Sequence, residues 1–436
     1  MQQTRMLVTC IAILFSGMAM AFTQPPFPRI ATVNYGSQQN YDSAAFQAQL
    51  AKFDIAILTI YPGWGNGRAM TMEQSVNGIK AINPQELVFL YISNNEITNN
   101  ASAQAPLINK VNAMHWWLYR SGTSGTPVPS AWAGATEVNT TLFAQHDSNG
   151  DDWVSWYAKW VVQNYYGPNP SIDGFFTDNV FHKPRVSGDW NLDGVTDSNS
   201  NPTVGQWYRQ GYNQHFSVLN QQMPGKYQIG NVADWGTPGA NLSYLTGILH
   251  GGFIEGIIGY PYSSETWGSW NEMMREYRLI MASVLQPQLV IFGQAGVAND
   301  YRGFRYGFTS CLMDNGYYEF SLAGHEYSGT FWFDEYNTKL GNATTNPPTT
   351  AWQKGVYRRD FENGIALVNP RGNGAQTVQL ETPYHKISGT QDPATNNGQT
   401  VQTVTLQDRD GIILLRTTPE HATTAVPKPP AAVTVQ

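Results

Sequence analysis

From Pro28 onward this 436-residue chain alternates eight short apolar runs with longer amphipathic or polar stretches. That alternation narrows the fold more than any other feature. The runs are Ile30–Tyr35, Ile55–Tyr61, Leu87–Ser93, Gly174–Val180, Tyr227–Val232, Phe253–Ile257, Leu289–Gly293 and Tyr317–Ser321. Several are separated by helix-patterned stretches: Ser43–Ala51, Met72–Ile82, Trp153–Tyr165, Gln206–Gln222, Trp270–Leu285 and Tyr306–Asn315. Strands alternating with helices build a parallel sheet. Eight such repeats over about 300 residues predict an α/β fold, a closed (β/α)8 TIM barrel with long loops on one face. The barrel is expected over residues 28–340, with a large insertion between Asn94 and Ser171.

The pattern changes after Trp332. Asn342 to Thr350 is rich in Asn, Thr and Pro and reads as a linker. Short strand-like pieces separated by Gly, Asn and Asp turns follow: Gly355–Phe361, Gly364–Asn369, Ala375–Leu380, Thr400–Leu406 and Gly411–Arg416. They predict a small antiparallel β-sandwich over residues 350–416, and the Thr/Pro/Ala-rich tail 417–436 is expected to be disordered. At the other end, Arg5, the apolar stretch Met6–Met18 and the small-residue site Ala19-Met20-Ala21 predict a signal peptide, residues 1–21, cleaved after Ala21. The product would be secreted, periplasmic or held at the cell surface, with no membrane partner after cleavage. Cys10 lies in that segment, which leaves Cys311 as a buried thiol with no disulfide partner. Net charge is −7 and no basic stripe exists, which argues against a nucleic-acid partner. The oligomeric state is not readable from the sequence.

The chemistry concentrates in two runs. Ile172-Asp173-Gly174-Phe175-Phe176-Thr177-Asp178-Asn179 is mostly apolar and ends in a carboxylate. Side chains alternate along a strand, so Phe176 and Asp178 share one face and Phe175 and Thr177 the other. Gly251-Gly252-Phe253-Ile254-Glu255-Gly256-Ile257-Ile258 also holds one acid. The two acids fall on the fourth and sixth strands, which contribute to the same layers of a barrel, at the end where barrel enzymes do chemistry. Two facing carboxylates suit glycoside hydrolysis, one as proton donor and the other as nucleophile or base; the plainer alternative is a pair of acids capping strand ends. Glu255, flanked by apolar neighbours, is expected to be the acid and Asp178 the nucleophile or base, with the reverse assignment left open. Asp234 is the third catalytic candidate. Tyr35, Tyr61, Trp64, Asn94, Asn179, Asn231, Tyr260, Trp267 and Glu319 fall at or just past strand ends and are expected to line the cleft and bind substrate, with Glu319 and Glu96 as reserve acids. The 14 Trp and 23 Tyr fit a cleft that stacks on sugar rings.

Asp189, Asn191, Asp193, Val195 (through its carbonyl) and Asp197 have the spacing of a calcium loop, with Gly194 at the sharp turn. Position twelve is Ser200, not an acid, so the loop is incomplete; a structural calcium is expected there, against the alternative of a bare Asp/Asn turn. No zinc-site histidine spacing, phosphate or dinucleotide glycine loop, or G-x-S-x-G elbow is present, and no organic cofactor is expected.

The runs Asp173–Asn179 and Gly252–Glu255, then Phe331-Trp332-Phe333-Asp334-Glu335-Tyr336 with Leu340-Gly341, together resemble the glycoside-hydrolase-like barrel families of exported bacterial proteins. Arg359–Gly364 leading into Val368-Asn369-Pro370 is similar to the start of their C-terminal β-domain. Related barrels, including the polygalactosaminidase type, carry an acid after strand four, which matches Asp178. The resemblance implies an exported glycoside hydrolase acting on a polysaccharide or oligosaccharide. Two other classes stay open: a non-catalytic carbohydrate-binding barrel, and a calcium-dependent surface or matrix protein.

Overall fold

The computed structural model describes residues 22–417. The signal-peptide and tail expectations, and Cys10, fall outside the described residues, apart from Thr417. Eight parallel strands form one sheet in sequential order: β1 Ala31–Val33, β2 Ile55–Thr59, β3 Leu87–Ser93, β4 Gly174–Asp178, β5 Tyr227–Asn231, β6 Gly251–Ile258, β7 Leu289–Gly296 and β8 Tyr317–Leu322. The ring closes where Ile30 pairs in parallel with Tyr318, whose N–H donates to the Arg29 carbonyl at 2.9 Å. The fold is therefore the (β/α)8 TIM barrel that the alternation predicts, followed by an antiparallel domain.

Seven α-helices lie around it: α1 Ala44–Leu50, α2 Met72–Ile82, α3 Ala105–Met114, α4 Trp153–Val161, α5 Pro202–Gln222, α6 Ser264–Ser283 and α7 Tyr301–Cys311. Local sequence sets their starts. Thr71 and Gln74 close a capping box on α2, and the Asp152 carboxylate accepts the Ser155 N–H at α4. Asn201 caps α5 with Pro202 in its first turn, so that helix begins earlier than periodicity alone implies. The insertion after β3 holds α3 and, across it, a short antiparallel strand pair, Glu96–Thr98 with Ala135–Glu137, neither of which the apolar pattern signals. Between β5 and β6 the described residues turn back without a helix.

The two-residue period of the strands sorts the core. Val33, Ile57, Phe89, Phe176, Ile229, Phe253 and Ile291 point inward and fill the barrel, while Phe175, Ile254 and their like face the helices. At the bottom, the Asp173 carboxylate accepts from Lys80 at 2.6 Å and from the Val88 N–H at 2.8 Å, fixing where β4 starts. Gly174 is required there, since an added Cβ would sit 1.6 Å from the Tyr227 carbonyl oxygen. No described helix is long and apolar enough to cross a membrane.

The C-terminal strands are β9 Tyr357–Phe361, β10 Gly364–Asn369, β11 Gln376–Lys386, β12 Thr400–Leu406 and β13 Asp410–Arg416. They form one antiparallel sheet, ordered β9-β10-β13-β11-β12, whose halves share a small core of Ile365, Leu367, Val378, Val404, Ile412 and Leu414. The domain packs on α7. Arg359, almost fully buried, donates to the Leu312 carbonyl at 3.0 Å and to the Asp314 carbonyl and Asn315 side chain, both at 2.5 Å. Arg371 and Arg409 reach the buried Glu265 at the start of α6. Cys311 lies under this joint, and burial pushes its thiol up to about 12.

Candidate active site

At the C-terminal mouth of the barrel, the inward face of each strand changes from apolar to polar. One step of two residues beyond Phe89, Phe176, Ile229 and Phe253 stand Tyr91, Asp178, Asn231 and Glu255. Tyr35 occupies the same step beyond Val33. These side chains form one layer resting on the barrel core. Glu255 has help in reaching it: the β6–β7 register slips between Ile254 and Ile258, and Gly256 takes the left-handed conformation (φ 57°). Such bulges re-aim a side chain, and a Cβ on Gly256 would collide with the Tyr260 ring.

A single nitrogen joins the two acids. Asn231 Nδ2 donates to Asp178 Oδ1 at 3.0 Å and to Glu255 Oε2 at 2.7 Å. The two oxygens therefore lie within about 6 Å of each other, short of the roughly 6.5–9.5 Å of inverting glycosidases and compatible with the roughly 5–5.5 Å of retaining ones. The Tyr91 hydroxyl donates to Asp178 Oδ2 at 2.6 Å, and the Asn179 N–H to Oδ1 at 2.8 Å. The Tyr327 hydroxyl, from the loop after β8, donates to Glu255 Oε1.

Burial raises the Asp178 carboxyl above its ordinary value, opposed by its bonds from Tyr91, Asn231 and the Asn179 N–H. Burial also raises Glu255; Tyr327 and Asn231 oppose it, while the charges of Asp178 and Glu326 raise it further. No cation offsets either acid among the described residues. Glu255 thus has one donor fewer than Asp178 and more repulsion.

The structure treats the other expected site residues unequally. Tyr35 packs between Tyr91 (4.9 Å) and Tyr327 (4.5 Å), tilted to both, beside both acids. Tyr61 and Trp64 line a cavity of about 360 Å³ on the Asp178 side of the mouth. Tyr260 stacks on Tyr262 at 4.8 Å on the Glu255 side, with exposed Trp267 beside them. Four placements need correction. Asn94 is fully buried, because the side chain after Ser93 turns to the helix side, and it does not line the cleft. Asn179 is buried for the same reason: its amide donates to Asn95 and its carbonyl accepts from Tyr212 at 2.9 Å, so it holds Asp178 in place and does not meet substrate. Asp234 stands apart from the pair. The His182 N–H donates to it at 3.1 Å, His182 Nδ1 lies 2.9 Å away but off the line of a hydrogen bond, and Arg185 is at 3.8 Å. Glu319 is buried one layer below the mouth, accepts from Ser321, and burial pushes its carboxyl up to about 8. The reserve acid Glu96 accepts from Ser130 near Asp178.

Sequence reasoning missed Tyr91 and Tyr327. Tyr91 carried a usable signal, the inward register of β3, whereas the loop of Tyr327 has no periodicity.

In the 189–197 loop the oxygens serve the turn itself. Asp189 accepts the Asp193, Gly194 and Gly122 N–H groups, Asp193 that of Val195, and Asp197 that of Trp190, while Asn191 donates to Asp193. Among the described residues no three His, Cys, Asp or Glu side chains gather where they could hold a metal ion.

The fold and site define a (β/α)8-barrel protein with a bridged carboxylate pair at its mouth. The chain belongs to hypothetical glycosyl hydrolase family 15, which it matches over residues 80–365. No curated protein sequence matches it. Solved structures with a similar fold include Eubacterium rectale Amy13B (8% identity, TM-score 0.50, covering 89% of this chain and 95% of that one). Others are the glycoside hydrolase domain of PelA from Pseudomonas aeruginosa (14%, 0.41, 69% and 96%) and the GH36 alpha-galactosidase AgaA from Geobacillus stearothermophilus (8%, 0.44, 90% and 56%).

Proposed function

We propose that the protein is an exported glycoside hydrolase that cleaves a polysaccharide or oligosaccharide with retention of configuration. The observation that carries this reading is the Asn231 amide shared by Asp178 and Glu255, which keeps one oxygen of each carboxyl within about 6 Å of the other and so favours a retaining pair. Asp178 attacks the anomeric carbon while Glu255 gives its proton to the departing glycosidic oxygen. The glycosidic C–O bond breaks, and an ester forms between the sugar and Asp178. Glu255, now ionised, takes a proton from water; the hydroxide adds to the anomeric carbon and releases Asp178. Tyr91 and the Asn179 N–H keep Asp178 anionic and aimed. Burial of Glu255 keeps the proton where the leaving group needs it.

Two features weigh against the other classes. Among the described residues, neither acid is tied up in a salt bridge, as a binding-only barrel would permit, and none of the exposed large apolar residues lies in the β-domain. The test is a panel of polysaccharides assayed for new reducing ends, with anomeric products followed by proton NMR. Asp178→Asn and Glu255→Gln should each fold and lose about 100- to 10,000-fold in rate. A panel that yields no reducing ends, or folded variants with wild-type turnover, overturns the reading.

A further inference from the structure

We infer that the glycan runs through the mouth as a chain, held on both sides of the carboxylate pair, so that the bond cut is internal. This deepens the proposed function and rests on it.

Two cavities adjoin on the Asp178 side. The nearer, about 100 Å³, is walled by Tyr91, the residue that donates to Asp178, with Glu96, Tyr61 and Tyr165. The farther, about 360 Å³, shares Tyr61 and Tyr165 with it and continues outward between α2 and α4 along Trp64, Trp160, Asn164 and Asn169. That size and lining, mostly apolar with four aromatic rings and a few polar groups, is the usual make-up of a ligand site. Trp64 lines that cavity, and Arg68 covers its indole at 4.1 Å. Its Nε1 is closed off from solvent without an acceptor, so its N–H resonance reports what packs on the ring. Across Asn231, the Glu255 side has its own aromatic surface. Tyr262 is 60% exposed, stacks on Tyr260, and with Trp267 and Glu255 lines a small recess of about 40 Å³. An enzyme that trims single residues from a chain end needs a closed wall on one side of the pair. Here aromatic surface continues on both.

The experiment has two readouts on the same panel. In the first, wild type acting on a soluble polysaccharide should release mixed oligosaccharides early and lower viscosity faster than reducing ends accumulate. Early release of only mono- or disaccharide overturns the inference. In the second, ¹⁵N-tryptophan protein carrying Glu255→Gln is titrated with the panel polysaccharides and their oligosaccharide ladders. The Trp64 Nε1–H resonance, assigned with Trp64→Phe, should shift with long chains. Trp64→Ala should weaken long-chain binding about tenfold, and Trp64→Phe, which keeps the packing, should lose part of that affinity. A glycan that is cut without moving the resonance refutes the chain path and leaves the hydrolase reading standing. A glycan that moves the resonance but is never cut supports the path and refutes hydrolysis. If nothing is cut and nothing moves the resonance, both fall.

Discussion

Removing one hydroxyl from each side of the pair should move opposite limbs of the pH–rate profile. Tyr327→Phe keeps a ring packed against Tyr35 and Phe253 but deletes the donor to Glu255 Oε1. Tyr91→Phe does the same for Asp178 Oδ2. A donor favours the charged form of a carboxyl, so its loss raises that group's pKa. Hydrogen bonds to charged groups contribute about 1.5–3 kcal/mol, which corresponds to about one to two pH units. The proposed mechanism requires Glu255 protonated and Asp178 ionised. Tyr327→Phe should therefore shift the alkaline limb of kcat/KM upward by about one to two units and barely touch the acidic limb. Tyr91→Phe should shift the acidic limb upward and narrow the optimum. The limbs belong to a coupled pair, so ¹³C titration of labelled carboxyls in the same variants gives a reading independent of substrate. The reasoning is refuted if both variants move the same limb, or if Tyr327→Phe moves the alkaline limb down.

Buried acids should make folding stability fall as pH rises. Burial lifts Glu137 and Glu319 from 4.5 to about 8 and Glu276 to about 7, so the stability they lend is full below the unfolded value and is lost across the window from about 4.5 to 8. The melting temperature should drop between pH 5 and pH 8, and Glu137→Gln should flatten the drop; a rise over that interval would contradict it. At the 189–197 loop, a structural calcium predicts that chelation lowers the melting temperature and that Asp193→Ala abolishes the shift; no calcium-dependent shift would leave a bare Asp/Asn turn. Truncation before residue 350 should leave the core face under β10 and β13, together with Glu265 and Arg305, without partners, giving insoluble protein; a soluble truncation with a cooperative melt would show that the barrel stands alone.

The strand–helix alternation was enough to place all eight barrel strands, because parallel strands buried on both faces leave dense apolar runs. The site was legible wherever the two-residue period was followed through. Phe176-x-Asp178 placed its acid on the inward face, and the same apolar-x-polar step at Phe89-x-Tyr91 would have found Tyr91. Proximity to a strand end without parity misled: Asn94 and Asn179 fall just past strand ends, yet each follows an inward residue and so turns toward the helices. Asp234 lies three residues beyond Asn231, where the chain has left the sheet. Tyr327 had no local signature, since its position depends on the path of the loop after β8.

The spacing of the pair depends on side chains as well as backbone. Neighbouring strands sit roughly 4.8 Å apart, so β4 and β6, separated by β5, start roughly 9–10 Å apart. Side chains pointing into a closed barrel converge, and here both acids meet one amide on the strand between them, which holds their oxygens 3.0 and 2.7 Å from the same nitrogen. On the proposed mechanism, a residue that transfers no proton and forms no bond to sugar thus helps hold the pair at a retaining separation. On that argument Asn231→Ala should disturb the geometry more than it disturbs either acid's chemistry: the carboxyls lose their shared donor, both pKa values rise, and repulsion pushes the groups apart toward room for a water between them.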